Sequence, residues 1–213
     1  MNNQEEYLKQ LVARYPQLAE CKADIAKAYE ILEMAYASGR KLLVSGNGGS
    51  ASDSEHIVGE LMKEFKLKRR VYREQAERMR EISSELGDVL ADSLQGALPA
   101  ISLTGHSSLT TAFMNDSEPE LIFAQQVNGY GMPGDVYLGI STSGNSKNVL
   151  YAAVTAKSKG LKVIGLTGQR ENQLMRYADV CIRVPETETY KIQELHLPVY
   201  HCLCMMLEEK FFG

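Results

Sequence analysis

The sequence predicts an α/β protein, a doubly wound three-layer fold with a five-stranded parallel sheet and two helices ahead of it. Three observations carry that reading. Five short runs are apolar almost without interruption, as strands buried on both faces must be. Successive runs lie far enough apart to admit a helix between them, the connection that parallel strands need. Before the first run, leucine, isoleucine and alanine recur at three- and four-residue spacing among charges, the pattern of amphipathic helices.

The helical spacing covers residues 3–15 and 22–38. The strands follow at "KLLVS" (41–45), "PAISLT" (99–104), "DVYLGIS" (135–141), "KVIGLT" (162–167) and "VCIRV" (180–184). Residues 66–96 read as a helical insertion that opens with Lys66, Lys68, Arg69, Arg70 and Arg73. These cations are read as a solvated helix face rather than as a draw for an anionic substrate. The closing segment, "YKIQELHLPVYHCLCMMLEEKFFG", is apolar on all sides, so it is expected inside the domain or in a subunit interface. Pro198 within it removes a backbone donor and is expected to bend the helix just before His201.

Length and composition narrow the class. At 213 residues one core buries most of the apolar surface, so a single domain over 1–213 is expected, with 1–38 as its N-terminal helices. A net charge of −4 gives no reason to expect nucleic acid or a membrane as partner. The polar, acidic start "MNNQEEYLKQ" is unlike a secretory signal, and no apolar run approaches membrane-spanning length, which points to the cytoplasm. Cys21, Cys181, Cys202 and Cys204 lack the spacing of a zinc knuckle and are read as buried thiols.

The chemistry concentrates in two loops. "VSGNGGSASDSEH" (44–56) leaves the first strand and "GISTSGNSKNVL" (139–150) leaves the third. In a doubly wound sheet, ligands bind beyond the carboxyl ends of the strands, where free N–H groups at helix starts favour a phosphate or carboxylate. Glycine lets that backbone come close, and Ser141, Thr142, Ser143 and Ser146 surround Gly144 with hydroxyls. One such loop alone commonly does no more than turn the chain and cap a helix. Two at two strand ends point to an anion site. Gly46, Gly48 and Ala51 fit the dinucleotide pattern G-x-G-x-x-A, yet the acidic strand end required about 20 residues later is replaced by the basic "KLKRRVYREQ", and no GK[ST] follows. A phosphate monoester of a small metabolite fits better than a dinucleotide.

His56 and Glu60, four residues apart, share one face of the helix that follows Ser50. Gln193 and His201 are two turns apart and about 80° round the axis, so both can face one cavity. By itself an H-x-x-x-E pair is more often a surface pair than a site, and His196 reads as a core histidine. If the two helices meet, the N, O, O, N set of His56, Glu60, Gln193 and His201 suits a divalent ion such as zinc, with a position left open for substrate.

These residues carry a resemblance. "GNGGSASDSEH", "GISTSGNS" and "KIQELHLPVYH" resemble the three signature segments of flavodoxin-like sugar isomerase (SIS) domains, and specifically of the phosphoheptose isomerase family, over most of the chain from residue 20 onward. The resemblance implies an aldose–ketose isomerase that converts sedoheptulose 7-phosphate to the matching heptose 7-phosphate, a precursor of surface polysaccharide. It implies that Asn47, Gly48, Gly49 and Ser50, with Ser141, Thr142, Ser143, Ser146, Glu60 and Gln193, hold the phosphosugar. It further implies Glu60 and His201 as the acid/base pair, zinc on His56, Glu60, Gln193 and His201 as in some members, and a homotetramer with sites between subunits. The alternative is a non-catalytic SIS module of the kind that binds the bacterial replication initiator. That branch lacks the glutamate and the second histidine, which this chain keeps.

The chain departs from the family pattern at Leu103, which with Thr104 stands where an aspartate is usual, at Tyr190 in place of another aspartate, and at Glu64 in place of an arginine. Those positions would face sugar hydroxyls or phosphate, so a different chain length or stereochemistry is left open. The segment from about 71 to 96 is longer than the family's usual connection, and a helix is expected there that extends the subunit interface or lids the site.

Overall fold

The computed structural model describes residues 3–213; residues 1 and 2 of the expected N-terminal helical segment lie outside the described residues. Five strands form one parallel sheet: β1 (Leu42–Ser45), β2 (Ala100–Ser102), β3 (Val136–Ile140), β4 (Lys162–Gly168) and β5 (Val180–Val184). Their order is β2-β1-β3-β4-β5, with Leu42 beside both Ala100 and Val136. Each predicted strand is present.

Two helices precede the sheet, α1 (Asn3–Arg14) and α2 (Lys22–Ala37), joined by a 3-10 turn. After β1 come α3 (Gly49–Met62) and the pair α4 (Arg73–Ile82) and α5 (Ser84–Ser93). Between β2 and β3 lie α6 (Ser107–Asp116) and α7 (Ile122–Tyr130), then α8 (Lys147–Ser158) after β3 and α9 (Thr189–Phe212) after β5.

The three layers follow from the period of a strand, which sends successive side chains to opposite faces. Leu42, Val44, Val136, Leu138, Ile164 and Leu166 meet Ile25 and Leu32 of α2, Ile57 and Leu61 of α3, and Val199 and Leu203 of α9 in one core. Leu43, Tyr137 and Val163 point the other way, onto Phe123 and Val127 of α7 and Val149 and Ala153 of α8. α9 is therefore internal, as its all-round apolar character requires. It runs on through Pro198. The carbonyl that loses its donor there belongs to Glu194, an exposed residue that water can serve.

The structure corrects five expectations. No α-helix joins β4 to β5; the link holds only a 3-10 turn, Leu174–Arg176, because its backbone serves the serine loop instead, with Leu174 N–H donating to Gly144 O at 3.0 Å. Arg69 is no part of a solvated face but is buried. Cys181 is only partly buried, unlike the other three thiols. Leu103 is buried in the second core, so its side chain faces no sugar. The 66–96 segment is a helical hairpin rather than one long helix. Gly87 lets α4 and α5 meet closely, since a Cβ there would lie 2.4 Å from Met79 O. Gly87 is also the one buried residue the pair contains, while Ile82 and Leu86 stand 86% and 63% exposed.

Candidate active site

The strand order turns back on itself between β1 and β3, the switch point where doubly wound sheets open a crevice. Both glycine and serine loops leave those two strands. A reciprocal amide pair ties them: Asn47 Nδ2 donates to Asn148 Oδ1 at 3.0 Å and Asn148 Nδ2 to Asn47 Oδ1 at 2.9 Å. In the first loop Gly48 adopts φ +56° to start α3, and a Cβ on Gly46 would sit 2.5 Å from Ser50 O. Gly48 and Gly49 are exposed, whereas Ser50 is buried with its N–H donating to Asn47 O at 3.1 Å. In the second loop Gly144 has φ +65°, Ser141 Oγ accepts from Gly144 N–H at 3.1 Å, and Ser141 and Ser146 hydroxyls meet at 3.0 Å. Thr142 and Ser143 line a cavity of about 240 Å³ with Arg170 and Thr187.

α3 and α9 run side by side in the same direction. Gln193 covers Gly49, Tyr200 reaches Asp53 and His56, and Glu208 receives the N–H of Phe65. This register brings the distant histidine to the carboxylate. His56 Nε2 lies 3.1 Å from Glu60 Oε1, and the rings of His56 and His201 are 5.0 Å apart, edge to face. His201 also borders a groove of about 490 Å³ walled by Tyr7, Arg14, Phe65 and Leu197. Gln193 is the member set apart, at the start of α3 against Gly49.

Burial sets the protonation states. His201 is pushed below the ordinary histidine value by burial and by His56, with Glu60 opposing, so its neutral form prevails at neutral pH. Asp53 is pushed up by burial although the Tyr200 hydroxyl, donating at 3.3 Å, holds it back. Glu60 Oε2 and His201 Nε2 are buried without a hydrogen-bond partner. A buried polar atom left unmatched costs free energy, and since His201 borders the groove, a ligand or water entering there can serve it. Sequence reasoning missed Tyr200 and Asp53. Asp53 could have been found, three residues before His56 and hence on its face of α3.

The SIS domain model matches residues 101–206. A phosphoheptose isomerase of Geotalea daltonii is 40% identical over 91% of this chain and 88% of its own. The chain belongs to the phosphoheptose isomerase family. Among solved structures, a phosphoheptose isomerase from Francisella tularensis superposes with TM-score 0.73 at 29% identity, covering 96% of each chain. That from Neisseria gonorrhoeae gives 0.70 at 28%, covering 94% of this chain and 98% of its own.

Two imidazoles and a carboxylate are zinc donors in kind, and the partnerless Glu60 Oε2 and His201 Nε2 leave two donor atoms free. Among the described residues, however, no three His, Cys, Asp or Glu side chains are gathered as an ion-holding group. The donor chemistry fits; the assembled site is not there. Of the remaining departures from the family pattern, Tyr190 is exposed at the start of α9, and Glu64 N–H donates to Gln95 Oε1 at 2.8 Å at the foot of the hairpin. No helix of the described residues is long and apolar enough to cross a membrane.

Proposed function

We propose that the chain interconverts sedoheptulose 7-phosphate and D-glycero-D-manno-heptose 7-phosphate by proton transfer through an enediol. The convergence of Glu60 and His201, both with buried partnerless atoms, is the observation that carries this reading. Asn47, Gly48, Gly49 and Ser50, with Ser141, Thr142, Ser143 and Ser146, hold the ester at the helix starts. Glu60 lies eleven residues beyond Gly49 on α3, about 16 Å along its axis. The side chain of Glu60 tilts back toward the start of the helix, which shortens the span to the loop.

Glu60 takes a proton from C1 of the ketose while the C1–C2 double bond forms and the C2 carbonyl oxygen gains negative charge. His201, neutral in its half-buried place, directs Nε2 at that oxygen as hydrogen-bond donor. Glu60 then returns the proton to C2 while the proton of the C1 hydroxyl passes to the C2 oxygen, leaving an aldehyde at C1 and a hydroxyl at C2. Zinc on His56, Glu60, Gln193 and His201 belongs to the proposal as its metal-bound form, in which the ion would polarise the sugar oxygen in place of a His201 N–H. We place the enzyme in the cytoplasm as a homotetramer, with the α4–α5 hairpin extending the subunit interface.

The test is incubation with sedoheptulose 7-phosphate, following aldose by NMR, with metal content measured after gentle purification. Turnover by the wild-type protein supports the isomerase; binding without turnover by metal-replete protein supports the non-catalytic module. Bound zinc that leaves with a chelator, taking activity with it, supports the metal assignment.

A further inference from the structure

The last turn of a helix is a poor place for a group that must meet a carbon-bound proton. Glu60 sits two residues from the end of α3 at Met62, where the final carbonyls have no donors within the helix. A glycine in left-handed conformation commonly closes such an end. Here Lys63 is extended instead, at φ −139° and ψ 173°. Arg69 serves both carbonyls: its Nη2 donates to Glu60 O at 2.9 Å and its Nη1 to Leu61 O at 2.8 Å, the latter also accepting from Leu98 N–H at 2.9 Å.

The third arm of the same guanidinium, Nε, donates to Glu208 Oε1 at 2.7 Å. Glu208 in turn accepts from Phe65 N–H and Lys66 N–H, each at 2.8 Å, and the ring of Phe212 lies 4.8 Å from the guanidinium carbon. Both charged side chains are buried, at 0% and 1% exposure. Glu208 stands seven residues after His201, two turns along the same face of α9. One planar fork thus holds the end of the helix that carries Glu60 and the helix that carries His201.

A buried ion pair is a weak means of stabilising a fold, since apolar residues of similar volume do as well or better. It is a good means of fixing position. We infer that Arg69, anchored by Glu208, is a positioning residue for the isomerisation: it caps α3 so that the Glu60 carboxylate keeps its place opposite His201. The inference rests on the proposed function above. Lysine cannot replace the fork, because an ammonium is a point charge without the planar geometry that serves three acceptors.

Arg69→Lys and Glu208→Gln test this, with kcat and KM for sedoheptulose 7-phosphate measured well below each variant's melting temperature. In Arg69→Lys, kcat is expected to fall roughly 10- to 100-fold while KM stays within about threefold, because the ester is held at the opposite end of α3. Glu208→Gln, which still accepts N–H groups, is expected to show the same split at a smaller size. A lowered melting temperature with kcat unchanged per folded molecule overturns the inference. If Arg69→Lys does not fold, the kcat-against-KM split in Glu208→Gln decides. Wild-type protein that fails to isomerise overturns the functional reading and this inference with it, whereas an active wild type, an inactive Glu60→Gln and a fully active Arg69→Lys overturn the inference alone.

Discussion

His196 and His201 share one helix and have opposite uses. The imidazole of His196 is fully buried, and burial pushes it down to about 4. Its folded value lies below the unfolded one, so the unfolded chain binds the extra proton and stability present above about pH 6.5 is lost as pH falls toward 4. The loss is roughly 3 kcal/mol on that account. Urea unfolding from pH 7.5 to 4.5 is expected to show a steep decline in the wild type and a shallower one in His196→Leu; equal slopes would contradict it. The sequence made His196 legible as core because it interrupts an apolar helix. His201 reads no differently in isolation, and only the register of α9 against α3 separates the two. Arg69 was illegible for the same reason. Among five neighbouring cations, the buried one is chosen by Glu208, 139 residues away.

At the scale of elements, the central strands were plain in the sequence because β1 and β3 are buried on both faces and are therefore apolar along their length, while the edge strands β2 and β5 are only partly buried. The β4–β5 link was not, since its polar residues answer to a loop elsewhere: Asn172 packs on Gly144, and Gln173 N–H donates to Asn145 Oδ1 at 3.0 Å. That contact makes a prediction about the serine loop. A Cβ on Gly144 would lie 2.2 Å from Asn172 Cγ at a φ of +65°, a clash plus a strained backbone costing about 1–3 kcal/mol. Gly144→Ala is expected to raise KM about tenfold or more with kcat little changed, since the ester grip lies at the end of α3 away from Glu60. Loss of kcat at constant KM would contradict that division of labour. The i, i+4 pair His56 and Glu60 was readable from spacing. Its meeting with His201 needed the parallel packing of α3 and α9, which no local pattern states.

At the scale of the molecule, the hairpin is the piece a single chain leaves unfinished. Two ten-residue helices that bury one glycine between them are marginal without a partner, and their apolar face, with Ile82, Leu86 and Val89, stands open. If it completes the tetramer, trypsin should spare the exposed Arg73, Arg78 and Arg80 in the assembled protein. Leu86→Glu with Val89→Glu should then lower the mass seen by light scattering and admit cleavage. Rapid cutting of the wild-type hairpin at full assembly would refute that role. The central claim is that one carboxylate and one imidazole, from helices far apart in the chain, act on the same two carbons. It is tested most directly by holding the protein in heavy water with sedoheptulose 7-phosphate. Wild type is expected to place deuterium at C2 of the aldose as it forms and at C1 of the ketose that is re-formed, with both events falling by roughly 10²-fold or more in Glu60→Gln and in His201→Asn. Undiminished exchange in either folded variant would contradict it.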